Sequence, residues 1–205
     1  MKVLSAEFVT SAAAGDRIPR DGVPQIPLAG RSNVGKSSLI NALCRAKVAR
    51  TSAAPGKTRL GNFYRVTLDG GPGGPGLWSV YLVDLPGYGY ARGGAEGAVE
   101  LRAVAEAYFQ LKLRAPAFLA SALLLIDVRH VALDSDRAAA RWLDELGVDY
   151  DIVATKIDKL SRAERARTLK TLSERFGKAA VPVSAQSGEG LEDLWKNIAT
   201  IVRNR

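Results

Sequence analysis

Residues 30–37 read Gly-Arg-Ser-Asn-Val-Gly-Lys-Ser, and their neighbours decide how they are understood. Gln25–Ala29, just before them, is a short apolar run; from Lys36 the period turns helical, with Leu39, Ile40 and Leu43 on one face. A strand, a glycine-rich turn of the form G-x-x-x-x-G-K-[ST] and a helix make a phosphate-binding loop. Glycines let successive backbone N–H groups turn inward around phosphate oxygens, and the helix adds its N-terminal partial positive charge. Gly30, Arg31, Ser32, Asn33, Val34, Gly35, Lys36, Ser37 and Ser38 are therefore expected to line a nucleotide, with Lys36 on the β- and γ-phosphates and the Ser37 hydroxyl on Mg²⁺. An ordinary glycine turn would lack the flanking strand and helix.

The same alternation continues along the chain. Asn62–Leu68 and Leu77–Val83 read as two strands joined by Asp69-Gly-Gly-Pro-Gly-Gly-Pro-Gly76, an antiparallel hairpin tip. No helix follows those glycines, so they form no dinucleotide loop. Ala98–Arg114 is helical in period, Ala117–Ile126 reads as a buried strand, and Asp134–Leu146 as a helix with Asp134 as its cap. Tyr150–Ala154 is a strand, Ser161–Phe176 a helix opened by a Ser161/Glu164 capping box, Ala180–Val183 the last strand and Gly190–Arg203 the last helix. Arg45–Gly61 has no strong period and reads as a loop. The expected fold is α/β: one domain over 1–205, with about six strands, mostly parallel, one antiparallel hairpin, and helices on both faces. Residues 1–22 are an N-terminal extension, partly strand or irregular.

Two later segments choose the base. Asp84-Leu85-Pro86-Gly87 follows a strand end, where Asp84 can hold Mg²⁺ through water and the Gly87 N–H can sense a γ-phosphate. Thr155-Lys156-Ile157-Asp158 follows another. The Asp158 carboxylate can accept from the N1–H and N2–H₂ of guanine, a donor pair adenine lacks, while the Lys156 stem packs over the base. Ser184-Ala185-Gln186 then offers a backbone N–H to guanine O6. Each tetrad alone is common. Four in order, each at the carboxyl end of a strand where α/β sheets bind ligands, are not.

Composition narrows the remaining classes. The chain has 205 residues, of which 47% are apolar, and 29 Lys+Arg against 21 Asp+Glu give a net charge of +8. A lone cysteine, Cys44, rules out a disulfide framework and a cysteine-rich zinc site, and His130 is the only histidine. The N-terminal stretch is a poor secretory signal, and the longest apolar run, Ala115–Ile126, is too short to span a membrane. Myristoylation and prenylation signals are missing too. A monomeric cytoplasmic protein with a polyanionic partner is expected.

Beyond the phosphate loop, GRSNVGKSSLINAL at 30–43, PGKTR at 55–59 with Asn62-Phe63-Tyr64, DLPGYGYA at 84–91, Asp127-Val-Arg-His130, TKIDKL at 155–160 and VSAQSGEG at 183–190 resemble the EngB (YihA/YsxC) family of bacterial ribosome-biogenesis GTPases. The resemblance runs from about Phe8 to Ile201. It implies a Ras-like P-loop GTPase fold, binding of GTP and GDP, slow GTP hydrolysis and a role in assembling the large (50S) ribosomal subunit. Thr155 stands where the generic guanine signature has Asn, a replacement usual in the family.

By the same resemblance, Pro55, Gly56, Lys57 and Thr58 form a nucleotide-sensitive loop, with Thr58, rather than Thr51, as the second Mg²⁺ ligand. The catalytic set is then Lys36, Thr58 and Gly87. Tyr88 occupies the position where many GTPases place a water-orienting Gln, so intrinsic turnover is expected to be slow. Asn33 sits where potassium-activated GTPases hold a K⁺ ligand; it equally suits a residue bracing the loop through its own hydrogen bonds. Arg129 and His130 fit structural or partner contacts better than catalysis, and Cys44, Trp142 and Trp195 fit packing.

Residues 45–65 carry Arg45, Lys47, Arg50, Lys57, Arg59 and Arg65 and no acidic residue, a candidate surface for ribosomal RNA of the large subunit or its precursor. The alternative is a regulatory GTPase acting in cell division or at a membrane, which would call for an amphipathic anchor or lipidation signal. A small-molecule kinase would leave Asp158 and Ser184-Ala185 without a task.

Overall fold

In the computed structural model, residues 1–12, 18–49, 61–71, 76–88, 103–110, 121–131 and 133–203 are described. The strands are β1 (Lys2–Ala12), β2 (Gln25–Gly30), β3 (Gly61–Asp69), β4 (Leu77–Asp84), β5 (Ala122–Asp127), β6 (Tyr150–Thr155) and β7 (Ala180–Val183). The helices are α1 (Lys36–Cys44), α2 (103–110), α3 (Asp134–Glu145), α4 (Arg162–Phe176) and α5 (Leu191–Arg203). One sheet takes all seven strands in the order β1-β3-β4-β2-β5-β6-β7. From β4 to β7 the pairs are parallel; β1–β3 and β3–β4 are antiparallel.

The seventh strand is the N-terminal extension. β1 pairs along the whole of β3, from Lys2 opposite Asp69 to Ala12 opposite Gly61, with two register shifts. As an edge strand it buries little, which is why its mixed sequence carries no clean alternation.

Central strands read as continuous apolar runs because both faces are covered. β2 and β5 are buried at every position. On one face α2, α3 and α4 pack through Phe109, Leu143 and Leu172 against Phe63, Leu124 and Ile152. On the other, α1 and α5 bring Leu39, Leu43, Trp195 and Ile198 onto Leu82, Leu125 and Val153. Trp142 and Trp195 pack as expected, and burial pushes the Cys44 thiol up to about 12, leaving it inert.

Some boundaries move. The strand expected from Ala117 starts at Ala122, with 117–120 outside the described residues. Asp134 is the first residue of α3 and pairs with Arg137; Leu133 holds the cap position and no side chain caps the helix. The capping box of Ser161 and Glu164 is formed as expected.

Candidate functional site

Strand order reverses at β2, so the carboxyl ends of β2, β4, β5, β6 and β7 open onto one edge, and the predicted motifs all start there. A cleft of about 480 Å³ lies between them, lined by Val34, Gly35, Ser38, Thr155, Lys156, Asp158, Ala185 and Gln186, with Arg129 also on its wall. That volume suits a nucleotide-sized ligand.

At one end sits the phosphate loop. Gly35 has φ 107, a left-handed backbone that only glycine takes without strain, and it turns the chain into α1. Lys36 is buried and donates from Nζ to the Gly30 carbonyl at 3.3 Å. Burial pulls its ammonium below the ordinary value, only partly offset by the Asp84 charge. Asp84 is also buried; burial pushes its carboxyl up, against the pull of Lys36 and Ser37. Ser37 donates from Oγ to Asp84 Oδ2 at 2.9 Å, and Asp84 Oδ1 is buried with no hydrogen-bond partner.

Those atoms suit a hard cation. A hydroxyl oxygen and an orphaned carboxylate oxygen side by side fit Mg²⁺, which keeps several waters and takes its remaining ligands from phosphates. No group of three or more His, Cys, Asp or Glu capable of holding a metal alone exists among the described residues.

Gly87 closes over the loop. A Cβ there would lie 2.9 Å from the Ser32 nitrogen and 3.0 Å from Lys36 Nζ, so any side chain would push the segment off the phosphate loop. Leu85 and Pro86 are buried, and Leu85 joins the core, so this tetrad can reach a ligand only through its backbone and Asp84. Pro55, Gly56, Lys57 and Thr58, with Thr51, lie outside the described residues.

At the other end, Asp158 sits in a 3₁₀ turn, Ile157–Lys159, directly after β6. Ser184 Oγ donates to its Oδ1 at 2.6 Å, and that bond is the chief reason the carboxyl stays below the usual carboxylate range. Lys156 takes a left-handed backbone, φ 63, and donates from Nζ to the Asn33 carbonyl at 2.7 Å. Its stem therefore reaches from the wall of the cleft to the phosphate loop. The Thr155 hydroxyl lies 2.9 Å from Val34 O and 3.2 Å from Ile126 O, so its single proton is shared between the phosphate loop and β5. The Gln186 N–H is taken by Ser184 Oγ at 3.2 Å, which leaves Ala185, not Gln186, to offer the backbone donor.

Asp127 was not legible as a site residue. Its carboxylate receives Lys156 Nζ at 2.8 Å and the Arg129 guanidinium at 3.0 and 2.7 Å. Burial alone would raise its pKa, but the bonds from Arg129 and Lys156 outweigh that and hold it well below the ordinary range. Arg129 is thus a structural partner, as expected, and Asp127 positions the lysine that bridges both ends. Asn33 does not brace the loop through its side chain, which is exposed and hydrogen-bonds no described residue; only its carbonyl does so.

Fold and site together define a P-loop GTPase. The sequence profile of the family described as 50S ribosome-binding GTPase matches residues 25–156. A probable GTP-binding protein EngB of Solibacter usitatus is 42% identical over 206 residues, covering 100% of both chains. Its counterpart in Heliobacterium modesticaldum is 39% identical over 95% of this chain and 90% of its own. Among solved structures, a probable GTP-binding protein engB superposes with TM-score 0.63 at 24% identity, covering 88% of this chain and 100% of that one. Era in complex with MgGDPNP and nucleotides 1506–1542 of 16S ribosomal RNA gives TM-score 0.70 at 22% identity, over 87% of this chain and 56% of that one. These two likenesses speak to the fold. The chain belongs to the EngB family of GTP-binding proteins, and is a GTPase.

Proposed function

We propose that this protein binds GTP and GDP with Mg²⁺ in the cleft, hydrolyses GTP slowly, and works as a switch in assembly of the large ribosomal subunit. The observation that supports the nucleotide half is a cleft with Asp158, bonded to Ser184, on one wall and Val34, Gly35 and Ser38 of the phosphate loop on another, next in the chain to Lys36 and to Ser37, which bonds Asp84. Asp158 accepts from guanine N1–H and N2–H₂, and Ala185 N–H meets O6. Lys36 and the loop N–H groups hold the phosphates; Ser37, with Thr58, would ligate Mg²⁺ directly and Asp84 through water. When bound, the ion neutralises charge on the β- and γ-phosphates. Tyr88 commits its hydroxyl to Asp136 at 3.3 Å, which supports slow turnover. Asn33, whose exposed side chain hydrogen-bonds no described residue, is a K⁺ ligand in this reading; equal rates in KCl and NaCl would refute that part.

The ribosomal half rests on family membership and on the cations of 45–65. Arg45 and Lys47 are exposed at the end of α1, and Arg50, Lys57 and Arg59 lie outside the described residues. Arg65 leaves the group: neighbouring Tyr64 and Val66 pack on the α1 side of β3, so Arg65 faces the other side and pairs with Asp21 at 3.6 Å. In this reading the RNA-facing surface rests on the five cations between 45 and 59.

Co-sedimentation with large ribosomal subunits in GTP analogue, GDP and no nucleotide, across a salt series, tests this. Binding should be strongest with the GTP analogue and fall steeply with salt. Indifference to the nucleotide contradicts the switch, and absence of binding favours a regulatory GTPase acting elsewhere.

A further inference from the structure

Asp136, in the first turn of α3, lies 105 residues from Arg31 and 48 from Tyr88, yet its Oδ1 accepts from both. Arg31 Nε stands 3.0 Å away and the Tyr88 hydroxyl 3.3 Å away. The carboxylate is completely buried. Stability alone explains such a group poorly, since a buried ion pair is often no better than an apolar replacement of the same volume.

What the pair holds is specific. Tyr88 is bonded to the phosphate loop on both sides of its backbone: its N–H donates to Gly30 O at 3.3 Å, and its carbonyl accepts from Ser32 N–H at 2.9 Å. Arg31 and Tyr88 form a parallel bridge. Gly87, one residue earlier, is packed onto Ser32 N and Lys36 Nζ closely enough to exclude a Cβ. Asp136 thus holds the far end of the Tyr88 ring while the phosphate loop holds its backbone.

We propose that Asp136 is a positioning residue for GTP hydrolysis: through Tyr88 and Arg31 it ties the Gly87 N–H and the phosphate loop to α3, and so sets where Gly87 stands relative to Lys36. The inference rests on the GTPase reading of the cleft. It concerns the γ-phosphate side alone, because neither Asp136 nor the Tyr88 hydroxyl lies among the residues lining the base end of the cleft.

The test is a double-mutant cycle on the full chain with Tyr88→Phe, Asp136→Asn and the pair, reading kcat and KM for GTP, GDP affinity and Tm together. Each single variant should lower kcat about fivefold or more while KM and GDP affinity stay within about twofold. The double variant should be no slower than the slower single, because both substitutions act on the shared Tyr88–Asp136 contact, Asp136→Asn weakening the Arg31 pair besides. Tyr88→Phe deletes a single hydroxyl and should keep its Tm; it carries the test if Asp136→Asn does not fold. A kcat for Tyr88→Phe within about twofold of wild type, additive losses in the cycle, or GDP affinity falling in step with kcat would each overturn the proposal. A wild-type protein that binds GDP but hydrolyses no GTP would remove the reading beneath it, and the proposal with it; active wild type with an unaffected Tyr88→Phe defeats the inference alone.

Discussion

At the base end of the cleft the carboxylates already have their partners: Asp127 takes Arg129 and Lys156, and Asp158 takes Ser184 and Lys159. At the phosphate end the charges are buried and incomplete. Lys36 donates to a backbone carbonyl, and Asp84 keeps one oxygen without a partner. The first arrangement is preorganised, so in the proposed reading a base would meet donors and acceptors that need no ordering. The second is held ready for charge that only a phosphate chain and its cation supply, in a dry setting where such charge counts most. Asp127 joins them, because the lysine it steers also holds the Asn33 carbonyl.

The largest effect that sharpens this contrast is Lys36→Ala. GTP hydrolysis should fall at least about 100-fold, the usual cost of losing a charge-stabilising donor. The preference for GDP over ADP should remain, since that preference belongs to the other end; its loss would show that the two ends do not act separately. Next comes Asp158→Asn. GDP affinity should drop about 100-fold while xanthosine diphosphate gains, because an amide donates where xanthine accepts. Saturating hydrolysis of the new nucleotide at close to the wild-type rate is the expected companion result; a collapsed rate would argue that Asp158 also shapes the phosphate end.

The smallest effect is one of stability. Asp127 has a folded pKa below its ordinary 3.8, so its contribution is present above 3.8 and is lost as pH falls through the folded value. Wild type should therefore exceed Asp127→Asn in Tm by a constant few degrees between about pH 5 and 8, and the gap should close only in strong acid. A gap that closed near neutrality would mean that Asp127 is not held ionised by Arg129 and Lys156.

Legibility tracked contiguity. The phosphate loop, Asp84–Gly87, Thr155–Asp158 and Ser184–Gln186 are short strings whose chemistry depends on spacing along the chain, so they could be read residue by residue. Asp136 and Asp127 could not. Asp136 finds its partners across separations of 105 and 48 residues, and in sequence it is one more acidic residue in the first turn of a helix, where such residues are ordinary. Asp127 reads as the end of a strand and the start of one of the resembling motifs, with nothing in the string to show that it would pair with Lys156. The placement of Arg65 was legible too: the alternation of Tyr64, Arg65 and Val66 already puts it on the face opposite its neighbours, away from α1. β1 escaped a firm reading for the converse reason, since an edge strand with mixed exposure has no period to detect.

The claim that the cleft is a guanine-nucleotide site is tested most directly by thermal denaturation with Mg²⁺ and either GDP or ADP at equal concentration. At about a hundred times the dissociation constant GDP should add about 2.7 kcal/mol of stability. In a chain of this size that raises Tm by about 5–10 °C. ADP should leave Tm unchanged. Equal shifts from both nucleotides, or none from GDP, would contradict the account.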